Sequence, residues 1–213
     1  LAAAKIHRPE LIAVGARGVN LLGLSRLGSV SRAVVHSSEV PVLVARERAS
    51  PEADPLRILL CCDRTDLSSE TARFLRGLSF PSSAIGQVMH VVESLFGEGI
   101  PDWLEAEARK AESDPIAKAY LEQHDEDLEK WKKQLAESCG ELPTVFSTSR
   151  PIIDEGHPGE RIVKYSKDHK VDLVVVGSRV HGAIARMFGG STAEHVLSYA
   201  PCSILVVPHH DAP

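Results

Sequence analysis

The stretch Val174–Thr192, VVVGSRVHGAIARMFGGST, sets an apolar run before a turn containing Gly177 and Gly182, then Gly189-Gly190-Ser191-Thr192 before a helical pattern. The run reads as a buried strand, and the glycines followed by Ser and Thr read as a helix start. There the free backbone N–H groups and the positive end of the helix dipole can hold a phosphate. A related stretch, LIAVGARGVNLLGLSRLGSVS, stands at Leu11–Ser31. Residues 10–45 laid over 172–207 without a gap pair Leu11 with Leu173, Val14 with Val176, Gly15 with Gly177 and Arg17 with Arg179. The same register pairs Gly28 with Gly190, Ser29 with Ser191, Val34 with Val196, Leu43 with Leu205 and Val44 with Val206. Strand cores, turn and helix start agree together, so one α/β unit is expected twice, the first time only in its last part.

Working outward, residues 1–8 read as the end of a helix before Pro9, Leu11–Val14 as a strand, the residues up to about Ser37 as loop and helix, and Val40–Ala45 as a second strand. Two strands and one crossover cannot bury their own faces. Residues 1–46 are therefore expected to be the C-terminal part of an incomplete first domain, 47–55 a linker, 56–208 a complete domain and 209–213 a tail. In the complete part, strands are expected at 57–63, 85–92, 144–149, 171–176 and 203–207, alternating with helices. Asp66 and Ser68 can cap the first of these helices, and Leu121, His124, Leu128, Trp131, Leu135 and Cys139 form the core stripe of a later one. The pattern predicts an open five-stranded parallel sheet with right-handed crossovers and helices on both faces, Rossmann-like in plan. Ligands of such sheets sit beyond the carboxyl ends of the strands where the strand order reverses. Asp63 and Gly177, closing the first and fourth strands, are expected on that rim.

Composition narrows the function classes. With 213 residues, 43% hydrophobic and 25% charged, the chain has the make-up of an ordinary globular protein. A net charge of -5 without a dense basic block argues against nucleic acid or an acidic membrane as partner. The four cysteines lack metal-ligand spacing and read as buried, reduced thiols, so no metal site is expected. No run is long enough to span a membrane and no signal peptide is recognised, so a cytoplasmic location is expected. The Gly-x-x-x-x-Gly-Lys-Ser/Thr loop, the Gly-x-Ser-x-Gly elbow and the His-Glu-x-x-His helix are all missing from the sequence. No catalytic residue is assigned. Near the glycine turn, Arg179 is a permanently charged anion partner, and His181 reads as a solvated loop residue.

These residues resemble the universal stress proteins in tandem form. The family pattern is Gly, two residues, Gly, nine residues, Gly and then Ser or Thr; Gly15, Gly18, Gly28 and Ser29 match it in full. The later copy has Gly177, Gly190 and Ser191, but Val180 stands where the second glycine belongs. A β-branched residue is poorly suited to positive φ, so the loop there must be rebuilt, with Gly182 at hand. Asp63 with Thr65, His90-Val91, Gly156 with Pro158, and Ala200-Pro201-Cys202 also look like the family. The resemblance implies an adenine nucleotide α-hydrolase-like fold and ATP or AMP as ligand, with Mg2+ its candidate companion. It implies Asp63 and the backbone of Val91 on the adenine and ribose side, Val176 and Gly177 towards ribose and α-phosphate, and Gly190, Ser191 and Thr192 at the phosphates, with Thr65 and Arg179 as further candidate nucleotide-binding residues. It further implies antiparallel pairing through last strands, here 40–45 with 203–207, in a homodimer or a tandem pseudo-dimer. A nucleotide-binding stress-response module, a non-binding dimerisation scaffold and a weak ATP hydrolase remain alternatives.

Overall fold

The computed structural model describes residues 1–16, 27–48, 55–62, 70–93, 103, 106, 110, 115–147, 150–179 and 191–209. Seven strands, β1 (Ile12–Gly15), β2 (Val42–Ala45), β3 (Arg57–Cys61), β4 (Ile85–Val92), β5 (Ile152–Glu155), β6 (Leu173–Arg179) and β7 (Ser203–His209), form one sheet. Their order is β1-β2-β7-β6-β3-β4-β5. All neighbours are parallel except β2 and β7, which run antiparallel with Val42 opposite Val206, Leu43 opposite Leu205 and Val44 opposite Ile204. The expected meeting of 40–45 with 203–207 thus occurs inside the chain, and the five parallel strands continue into β2 and β1 as one seven-stranded sheet. Strand β7 runs on to His209, beyond the expected end at 207.

Helices among the described residues are α1 (Ala2–His7), α2 (Ser29–Ser37), α3 (Glu70–Arg76), α4 (Pro115–Cys139), α5 (Thr144–Ser147), α6 (Pro158–Asp168) and α7 (Ser191–Tyr199). Alternation along the strands divides the core. Val42, Val44, Leu59, Met89, Val91, Val174, Val176, Ile204 and Val206 pack with residues of α2, α6 and α7, while Ile58, Leu60, Val88, Val175, Leu205 and Val207 pack with α3, α4 and α5. Burial on both faces is why the central strands read as unbroken apolar runs rather than as alternation. On α4, Leu135 and Cys139 are buried and Leu121, His124, Leu128 and Trp131 half-buried, so the predicted stripe is the packed side. Its charged run faces solvent, with Lys132 Nζ 2.6 Å from Glu129 Oε1. Burial pushes the Cys202 thiol up to about 11, in keeping with an inert packed cysteine.

The strand expected at 144–149 is not there. Residues Thr144–Ser147 form the single turn of α5, with the Phe146 N–H donating to Pro143 O at 2.9 Å. Packing decides this. Phe146 is 0% exposed, lies edge-to-face on Phe80 at 6.0 Å between ring centres, and fits where Gly86 of β4 has no side chain. A Cβ on Gly86 would stand 2.6 Å from Phe146 Cδ1. The third strand is instead β5, which begins after Pro151 and forms the sheet edge beside β4 with all four residues half-buried. Proline is well placed at the entry of an edge strand, where its missing N–H breaks no ladder.

The chain on either side of residues 49–54 is pinned to the start of β6. Asp172 accepts from Arg48 Nε at 2.7 Å through one oxygen and from the Arg57 N–H at 2.9 Å through the other, and Arg48 Nη2 donates to Pro55 O at 3.0 Å. One carboxylate thus ties together both flanks of the expected linker.

Candidate functional site

Strand β3 has β4 on one side and β6 on the other, and the chain leaves it first towards β4 and β5 and later returns to β6 and β7. The strand order therefore reverses between β3 and β6, and their carboxyl ends border the crevice that such a reversal opens. Two hydrogen bonds fix the chain as it leaves β3: Cys62 N–H donates to Met89 O at 3.0 Å, and His90 Nδ1 lies 2.9 Å from Cys62 O. His90 is buried, with its ring 5.8 Å from that of Trp131 on α4. The next residue, Asp63, and Thr65 lie outside the described residues. Val91 is buried on the α6–α7 side of β4, and the neighbouring Val92 O accepts from Gly156 N–H at 3.0 Å.

On β6, Val176 is buried and paired with Cys61 and Val206. Gly177, opposite Val207, is exposed, and Arg179 ends β6 opposite His209. Ser191 opens α7, with Thr192 half-buried behind it and Ala193 buried. Gly190, Val180, His181 and Gly182 lie outside the described residues. The structure thus brings Val176, Gly177 and Arg179 to one strand end, with Val91 on the strand beyond β3.

At the end of β1 the strand is tied to the start of α2. Gly15 ends β1, Gly28 is the N-cap of α2 and Ser29 its exposed first residue; Gly18 lies outside the described residues. Gly28 N–H donates to Ala16 O at 2.9 Å, and Ser31 Oγ donates to Gly15 O at 2.6 Å. The helix start is thereby held against the strand end. Ser31 was not singled out from sequence, although a hydroxyl two residues past the Gly-Ser pair was its only signal. His90 belongs to the His90-Val91 pattern, but its grip on Cys62 depends on the pairing of β3 with β4. Arg161, which donates from Nε to Asp154 Oδ2 at 2.9 Å, locks α6 to the end of β5 and had no sequence signal.

Between α6 and α7, Gly159 lies against His195, where a Cβ would stand 2.6 Å from His195 Cβ. The His195 ring is 5.5 Å from that of His157 and 4.6 Å from that of Tyr199. Burial, and then His157, hold the His195 imidazole below its ordinary 6.5, against the opposite pull of Glu160. A depressed folded value means that the unfolded chain binds the proton more readily, so this group's contribution is full above 6.5 and is lost as pH falls through the folded value. Replacing His195 with glutamine is expected to flatten the fall of melting temperature on the acid side of 6.5, read by thermal melts across that range. An unchanged slope would remove His195 from the acid response.

Among the described residues, no group of three or more His, Cys, Asp or Glu side chains is placed to hold a metal ion. No helix among them is long and apolar enough to cross a membrane.

An open, doubly wound α/β sheet whose strand order reverses between β3 and β6 defines the class. Residues 1–46 and 57–208 match the model of the universal stress protein family, and the chain belongs to that family. It is 28% identical over 150 residues to a universal stress protein of Thermus aquaticus, covering 70% of this chain and 96% of the relative. A universal stress protein of Methanocaldococcus jannaschii is 27% identical over 151 residues, covering 71% of this chain and 81% of the relative. Among solved structures, a functionally unknown protein from Pseudomonas aeruginosa superposes with a TM-score of 0.67 at 17% identity, covering 99% of this chain and 66% of its own. A putative universal stress protein from Pseudomonas aeruginosa gives 0.66 at 19% identity, covering 99% of this chain and 67% of its own. The chain therefore spans about two thirds of the length of these two structures, and at such identities the likeness is one of fold.

Proposed function

We propose that this protein is a cytoplasmic stress-response module that binds ATP or AMP, with Mg2+ as companion of the triphosphate, at the β3–β6 rim. The observation that carries the reading is the reversal of strand order there, with buried Val176 leading to exposed Gly177. Asp63, Thr65 and Val91 serve the base and ribose, Gly177 and Arg179 the ribose and α-phosphate, and Gly190, Ser191 and Thr192 the phosphates. Glycine permits close approach of the backbone to an anion, and a helix start supplies unpaired N–H donors. Residues 1–46 act as the last part of a first domain whose phosphate-loop residues are Gly15, Gly18, Gly28 and Ser29.

A ligand that binds only the folded state raises its stability, by about 2.7 kcal/mol at a hundredfold excess over Kd. For a chain of this size that corresponds to a rise of about 5–10 °C in melting temperature. Melting with and without ATP and magnesium is expected to show such a shift, Gly190→Val to abolish it, and Val180→Gly to enlarge it. No shift at millimolar ATP would sink the nucleotide reading. The alternative, a scaffold acting through strand pairing without nucleotide, is favoured by the β2–β7 junction and would stand in that case.

A further inference from the structure

The junction of β2 with β7 is centred on Leu43 opposite Leu205, flanked by Val42–Val206 and Val44–Ile204. Leu43 and Leu205 occupy the same place in the two sequence copies, as do Val42 with Ile204 and Val44 with Val206. The junction is therefore a local two-fold arrangement, with equivalent residues meeting at the axis. The helices beside it obey the same rule. Arg32 of α2 and Glu194 of α7 are equivalent positions, and Arg32 Nη1 donates to Glu194 Oε1. His36 and Ser198, one turn on, are also equivalent: His36 Nε2 lies 3.1 Å from Glu194 Oε2, and Arg32 Nη2 donates to Ser198 Oγ at 3.3 Å. Arg46 crosses the same seam, its Nη2 donating to Leu197 O at 2.7 Å.

Equivalent positions at a two-fold axis carry identical residues when two identical copies meet. Two copies of the 191–207 surface would set Glu194 against Glu194, and two copies of the 29–45 surface would set Arg32 against Arg32 with His36 beside each. Only the mixed pairing sets base against acid. We infer that Arg32, His36 and Glu194 form a charge code at the seam, matching the 29–45 surface to the 191–207 surface and rejecting a second copy of either. The apolar strands supply attraction without discrimination, since Val, Ile and Leu fit in either pairing. The charges supply the discrimination, as like charges brought together penalise the wrong partner. The inference rests on the two-copy reading of the chain and not on nucleotide binding.

The test uses the full chain without nucleotide. Arg32→Glu and Glu194→Arg are each expected to lower the melting temperature by about 3 °C, and to speed amide exchange of residues 42–44 and 204–206. The paired reversal is expected to restore both to wild-type values. Should a reversal fail to fold, Arg32→Gln, Glu194→Gln and their combination form a milder cycle whose effects are expected not to add. In the Leu43→Cys/Leu205→Cys chain, oxidation is expected to link the two strands within one molecule, and the Leu205→Cys chain to give no linked dimer. Additive losses in both cycles, or linked dimers of the Leu205→Cys chain, would overturn the charge code. Neither outcome depends on whether ATP shifts the melt.

Discussion

Replacing Val44 with aspartate is expected to lower the melting temperature by more than about 10 °C at neutral pH. Val44 is 0% exposed, lies opposite Ile204 across the β2–β7 junction and belongs to the apolar cluster under α2, α6 and α7. A carboxylate there loses its water and gains no cation from that cluster, a cost of several kcal/mol that neutralisation relieves in part. The folded chain would then hold the new carboxyl above its unfolded value. The deficit relative to wild type should be largest above that raised value and shrink as pH falls through it towards the unfolded one. Melting curves of variant and wild type at pH 8 and pH 5 check both size and sign. Aspartate at the adjacent exposed Ala45 is the control and should cost little. Equal losses at the two sites would mean that the junction is not buried at Val44.

Phe146→Ala is the second large effect, with an expected loss of about 3–5 kcal/mol by denaturant titration. The ring is fully buried between β4 and Phe80, and its removal leaves a cavity bordered by Gly86, whose missing side chain makes room for the aromatic. The partner experiment is Gly86→Val, which drives a branched side chain into the same space. Here overpacking rather than a void destabilises, typically by about 1–3 kcal/mol. In the double variant the new side chain can take up part of the vacated volume, so the two losses should fall short of their sum. Strict additivity would refute the proposed fit of Phe146 over Gly86.

Both effects come from places where a strand or turn owes its position to something distant in the chain. The misread segment at 144–149 shows the limit: Thr-Val-Phe-Ser alternates well enough for a strand, and a single aromatic outweighs that local preference by filling the space over Gly86. Ile152–Glu155, the true third strand, was hidden by its two terminal acids. Those acids are accommodated because they end an edge strand, where Asp154 meets Arg161 and Glu155 lies 3.0 Å from His124 Nε2. Of the candidate site, the apolar run up to Val176 and the helix start at Ser191 were legible, because a buried apolar run and a Gly-Ser step are local signals; that the strand continues through Gly177 to Arg179, where a turn was expected, was not, because pairing with β7 decides it. The hold of His90 on Cys62 and of Ser31 on Gly15 was not, because each joins residues that only strand pairing or loop closure brings together.

What the sequence by itself determined is a set of local elements: the apolar strands of β1, β2, β6 and β7 and the helix starts at Ser29 and Ser191. Periodicity and glycine placement act within a few residues, so they survive in the linear order of the chain. The tertiary structure alone decided how β2 and β7 meet. Apolar strands can pair in several ways with similar gain, and the seam is settled by groups far apart in sequence: the Leu43–Leu205 axis and the Arg32–Glu194 contact beside it. Charge interactions of this kind depend on distance in space, and no spacing along the chain encodes that distance.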